Sequence, residues 1–103
     1  MTHYILDENN NPVPEDDFGV WGKFVETNRQ VAHTSCGSIT ISTIFLGRDQ
    51  CFARIGAPVL WETMVFIGGD IVEVERYTSA KEAIESHKNL VVKYLSGTPD
   101  DID

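Results

Sequence analysis

The stretch LWETMVF, residues 60–66, decides how this chain folds. Leu60, Trp61, Met64, Val65 and Phe66 read as a strand that seeks burial, because aromatic and β-branched residues fit a pleated, packed surface. Alternation puts Val59, Trp61, Thr63, Val65 and Ile67 on one face and Leu60, Glu62, Met64 and Phe66 on the other. Glu62 is therefore the single charge on an otherwise apolar face. Buried without a partner, its carboxylate would cost on the order of several kcal/mol. Two readings follow. Glu62 pairs across strands with an arginine, Arg76 being the candidate, or it is a pocket carboxylate that accepts hydrogen bonds from a ligand.

Working outward, GGD (68–70) turns this strand into IVEVERY (71–77), a hairpin on a short glycine turn. Upstream, RQVAHTS (29–35) and SITISTIFLG (38–47) flank Cys36 and Gly37 as another hairpin. In its second arm Ile39, Ile41, Thr43 and Phe45 share one face, and Thr40, Ser42, Ile44 and Leu46 the other. The far end is apolar on both faces and is expected to be covered on both. HYILD (3–7) is a short strand ended by the turn-rich ENNNPVP (8–14).

Two helices complete the pattern. In EDDFGVWGKFVE (15–26), Phe18, Trp21 and Val25 fall on one helical face, which assigns Phe18 and Trp21 to the core. Glu15, Asp16 and Asp17 are placed in the first turn, where carboxylates suit the helix dipole. Gly19 and Gly22 weaken this helix by up to ~1 kcal/mol each, and close approach of another backbone would account for them. SAKE (79–82) is a capping box that opens a helix running to about Ser96, with Gly97 as its stop and Pro99 beyond. Its apolar face holds Ala80, Ala83, Ile84, His87, Val91 and Tyr94 or Leu95. His87 reads as a core histidine satisfied by a backbone group more readily than as a catalytic one. The order β-α-β-β-β-β-α is an α+β domain, an antiparallel β-meander with two helices packed on it. Residues 1–97 form a single domain and 98–103 an acidic flexible tail.

Composition narrows the functions. The chain of 103 residues has room for one core. Sixteen acidic residues against eight basic ones give a formal charge of −8, which opposes direct binding to nucleic acid. No apolar run approaches the roughly 18 residues of a membrane span, and the start lacks a secretory leader. A cytoplasmic location is the expectation. Cys36 and Cys51 show no ligand spacing and read as free thiols, and neither metal nor cofactor is expected.

The segment GRDQCFARIGAP (47–58) has no period, and loops of that length are often functional. Arg48 and Arg54 offer forks for phosphate or carboxylate, Phe52 a ring that stacks, and Asp49 a carboxylate. A plain solvated loop is the alternative. No motif for nucleophilic or metal-assisted catalysis is present.

The stretches YILDENNNPVPEDDFGVWGKFVE, VAHT, ITISTIFLGRDQ, APVLWETMVFIGG and ERYTSAKEAIESH together resemble a family of small uncharacterised proteins of tailed bacteriophages and prophages. The resemblance covers nearly the whole chain, with STIFLG.D and LWETMVF as its specific core. It implies a phage accessory protein acting in the bacterial cytoplasm, and supplies Asp49, Trp61, Glu62, Thr63 and His87 as site candidates. Relatives usually carry histidine after the loop aspartate. Gln50 stands there in this chain, so an Asp-His metal or acid–base pair would need His87 as a substitute.

The expected function is counter-defence. A homo-oligomer would bind and sequester a nucleotide-type signalling molecule without catalysis. Arg48 and Arg54 would hold phosphate, an aromatic would stack the base, and Glu62 would accept an amino or hydroxyl group. The alternative is an acidic inhibitor of a host defence protein, a nucleic-acid mimic using Asp7, Glu8, Glu15, Asp16 and Asp17 or the outer face with Glu73 and Glu75. A hydrolase using Asp49, Glu62 and His87 is the third reading.

Overall fold

A computed structural model describes residues 2–49 and 56–96. Among these residues the chain forms two antiparallel sheets and two α-helices, an α+β fold. Strands β1 (Tyr4–Leu6) and β2 (Pro12–Pro14) make a small hairpin. Helix α1 (Phe18–Asn28) leads into a four-stranded meander of β3 (Gln30–Cys36), β4 (Ile39–Phe45), β5 (Trp61–Ile67) and β6 (Asp70–Tyr77). Helix α2 (Ala80–Val91) then crosses the sheet and closes in a π-helical turn, Val92–Ser96.

The first strand does not join the meander. It pairs with Pro12–Pro14, a segment that reads as turn. Asp7 builds the reversal: its Oδ1 accepts from the backbone N–H of Asn9 (2.8 Å) and Asn11 (2.9 Å), and Asn10 takes a left-handed φ of 63°. Short polar side chains tolerate that conformation and bond their own backbone. The acids before α1 also differ from expectation. Asp17 is the N-cap, accepting from Gly19 and Val20, and Glu15 accepts from the Asp17 N–H. The helix therefore begins after them.

Gly47 joins the two sheets. Its carbonyl accepts from Tyr4 N–H at 2.8 Å and from the Trp21 indole at 3.0 Å. Its φ is +76°, and a Cβ there would lie 2.9 Å from both Trp21 Nε1 and Val25 Cγ2. Glycine is required on both counts. Gly19 and Gly22 show no such approach: a Cβ at Gly22 meets nothing, and one at Gly19 meets only the Asp17 cap. Phe18, read as core, is 68% exposed on the first turn of α1, flanked by the His3 and Trp21 rings.

The core lies between α2 and the sheet, and it is split. One cluster gathers Val25, Phe45, Leu60, Trp61 and Ala83; the other gathers Ile41, Val65 and Leu90. Register explains the division. The row Phe45–Trp61–Tyr77 and the row Ile41–Val65 are separated by the row Thr43–Thr63–Glu75. The opposite sheet face carries Ile44, Met64, Phe66, Val74 and Glu62, and α2 does not lie on it.

Candidate functional site

Strand alternation separates the residues singled out in the sequence. Trp61 and Thr63 face α2, and Glu62 faces away. Glu62 sits directly opposite Arg76, whose Nε donates to Glu62 Oε2 at 2.9 Å. The Glu62 side chain is 6% exposed and that of Arg76 52%. The first reading of LWETMVF is the one realised: an acid on an apolar face, answered across strands by an arginine.

Thr63 and His87 belong to a polar layer inside the core. His87 Nδ1 lies 2.8 Å from Thr43 Oγ1, and Nε2 lies 2.9 Å from Thr34 Oγ1. Thr43 and Thr63 share a hydrogen bond across β4 and β5. Both ring nitrogens are thus met by hydroxyls, where the sequence suggested a backbone group. Burial, and secondarily the charge of His33, hold the His87 pKa below its usual 6.5, so the imidazole is neutral near pH 7. Beside this layer Tyr77 donates to Ser86 Oγ at 2.6 Å and Ser86 to Glu75 Oε1 at 2.7 Å. With each group engaged by a neighbour, the layer is built as structure. It also places His87 on the opposite face from Glu62, so the Asp49–Glu62–His87 set is not assembled.

The loop residues are divided too. Arg48 bridges to His3, and its guanidinium lies 6.0 Å from the Trp21 ring centre. Asp49 Oδ1 accepts from the Val59 N–H at 2.8 Å, closing the base of the loop. Phe52 and Arg54 lie outside the described residues, as do Gln50, Cys51 and the 98–103 tail. Cys36 is an exposed free thiol.

Trp61 occupies the most informative position. The side chain is fully buried, with its ring centre 5.4 Å from that of Phe45. Among the described residues its Nε1 has no hydrogen-bond partner. An indole N–H is a donor only, and leaving one buried and unmet costs about 1–3 kcal/mol. Trp61 also backs two clefts that share Asn10 and Ala80. The larger, about 530 Å³, is walled by Leu6, Phe24, Val31 and Ile84, with Asp7, Glu8, Thr27, Asn28 and Gln30 as its polar groups. The smaller, about 360 Å³, runs between Asn9, Asn11 and Pro12 of the hairpin and Pro58, Thr78, Ser79 and Lys81. Together they form a two-lobed trough beneath the β1–β2 turn, within the volume range of small-molecule sites. Asn28 Nδ2 is engaged within α1 by Phe24 O (3.0 Å) and Thr27 Oγ1 (2.8 Å), which leaves its Oδ1 as an acceptor.

Among the described residues, Trp61 alone of the ligand-site candidates lines this trough, joined by Asp7 and Glu8 from the acidic-inhibitor reading. Leu6, Asn10, Phe24, Asn28 and Ile84 were missed. The run DENNN was the available signal, because it presents side-chain amides at a hairpin turn. Among the described residues no group of three or more His, Cys, Asp or Glu is placed to hold a metal ion, and no helix is long and apolar enough to cross a membrane. No protein-family model, curated protein or solved structure matches the chain.

Proposed function

We propose that this protein is a binding module that sequesters a small nucleotide-type molecule in the trough at Trp61 and releases it unchanged. The observation that supports this most is a buried indole nitrogen, without an acceptor among the described residues, on a tryptophan that lines a cleft of ligand size. A role as a phage accessory protein acting against a signalling defence in the host cytoplasm belongs to the same proposal, on the resemblance of LWETMVF and STIFLG.D. Homo-oligomerisation is a companion. Ile71, Val72 and Val74 stand exposed along β6, where a second copy would shield apolar surface. Calorimetry with a panel of cyclic and linear nucleotides tests the ligand, together with mass spectrometry of compounds released by heat. Saturable binding with the ligand recovered intact supports sequestration. Silent titrations with nothing released count against it.

A second reading, direct inhibition of a basic host protein, draws on Phe18. An exposed ring preceded by Glu15, Asp16 and Asp17 combines an aromatic anchor with an acidic rim. Salt discriminates. Affinity for a basic partner falls as ionic strength rises and is lost on reversing the three acids, whereas binding in the Trp61 trough survives that reversal.

A further inference from the structure

Resting on that reading, we propose that Trp61 recognises its ligand through the edge of the indole, and not by stacking. The larger lobe accepts a planar, uncharged ring of nucleobase type that presents a hydrogen-bond acceptor to Nε1, and the anionic part of the ligand leaves through the smaller lobe.

Three features carry this. The faces of Trp61 belong to the core, with Phe45 packed at 5.4 Å, so the ring has no free face to offer. What it has is one buried donor with no partner among the described residues. A ring nitrogen or carbonyl oxygen satisfies such a donor, and a ligand lacking an acceptor leaves it unmet. The larger lobe is walled by apolar side chains and edged by Asn28, whose Oδ1 remains as an acceptor, and by Gln30, whose amide carries both a donor and an acceptor for the edge of a base. Charge then sets the direction. Asp7 and Glu8 line the larger lobe and repel phosphate, while Lys81 lines the smaller one.

The geometry adds a requirement. Trp61 is fully buried although it backs both lobes, and Asn10 and Ala80 stand where the lobes meet. A ligand reaches Nε1 only when the groups that bury it shift.

The chain has two tryptophans, and the Trp21 indole donates to Gly47 O, which makes it an internal control. Adenosine and uridine 5′-monophosphates, the parent nucleosides and inorganic phosphate are titrated into uniformly ¹⁵N-labelled protein. The Trp61 indole proton is expected to move downfield with nucleosides and nucleotides, with Trp21 unmoved and inorganic phosphate without effect. Trp61→Phe is expected to weaken nucleotide binding about tenfold or more. Lys81→Glu is expected to weaken nucleotides and spare nucleosides. If a nucleotide binds while the Trp61 indole stays still, or while Lys81→Glu changes nothing, the inference is overturned and the binding module stands. An indole resonance already hydrogen-bonded in the free protein and unmoved by every compound assigns the donor to bound water, and overturns it equally. If no resonance responds to any compound and calorimetry is silent, the module itself fails.

Discussion

His87 is held by two threonine hydroxyls inside the core, and its neutral form is part of how the core closes. Burial lowers its pKa from 6.5 in the fold, while the unfolded chain keeps the ordinary value. Between those two values the unfolded state carries a proton that the folded state does not, so stability is whole above pH 6.5 and is lost as pH falls toward the lowered value. Urea unfolding at pH 7.5 and 5.5 checks this: the wild-type midpoint is expected to fall, and His87→Leu to flatten that difference. At pH 7.5 the same variant is expected to lose about 1–3 kcal/mol, because the half-buried Thr34 hydroxyl loses its partner and the buried Thr43 hydroxyl is left with Thr63 alone. Arg76→Ala acts on the other face. It leaves the Glu62 carboxylate buried without its guanidinium, an expected loss of about 1–3 kcal/mol. The cost is smaller in a Glu62→Gln background, since no charge is stranded, and a double-mutant cycle reads the difference.

At the scale of elements, the joints matter more than the spans. Gly47→Ala combines a left-handed φ with a Cβ driven against Trp21 and Val25, and is expected to cost about 2 kcal/mol or more in thermal or chemical unfolding. Phe18→Ser, by contrast, is expected to change stability by no more than about 0.5 kcal/mol, because the ring is mostly in solvent. The helix α2 is tied down at both ends. Ser79 is the N-cap that the sequence announced, accepting from the Glu82 N–H, while the Glu82 carboxylate reaches back to the Thr78 N–H and the Ser79 hydroxyl. At the far end Tyr94 and Lys93 reach Glu73 on β6, and hydrogen bonds with Tyr94 first, then Glu75 and Lys93, hold the Glu73 pKa down at about 2. That contribution is present above pH 4.5 and fades as pH falls toward 2. The meander was legible because period-two alternation and glycine turns mark it without ambiguity. Strand β2 was not, since Pro-Val-Pro lacks the donors of an ordinary strand and pairs only at an edge. The start of α1 was misplaced for a related reason: aspartate favours the cap as much as the first turn, and periodicity does not separate the two.

For the whole molecule, one fact of register organises both the core and the proposed site. A threonine row splits the core, so Trp61 caps one cluster beneath the β1–β2 turn while Thr63 and His87 hold the layer below it. The Glu62–Arg76 pair was readable from the sequence because a lone acid on an apolar strand asks for a cross-strand partner. The trough was not, because it is assembled from Leu6, Phe24, Asn28, Trp61 and Ile84, which share no local pattern and meet only when the hairpin packs over α2. The net charge of −8 shapes this picture as well, since any anionic ligand has to approach against it. Lower salt is therefore expected to slow nucleotide association, and stopped-flow mixing at two ionic strengths reads that. The most direct measurement is a backbone amide shift map recorded as a bound nucleotide is titrated to saturation. The expected result is a cluster of shifts at Leu6, Asn10, Phe24, Asn28, Ala80 and Ile84; shifts confined to Ile44, Met64, Phe66 and Val74 on the other sheet face would contradict it.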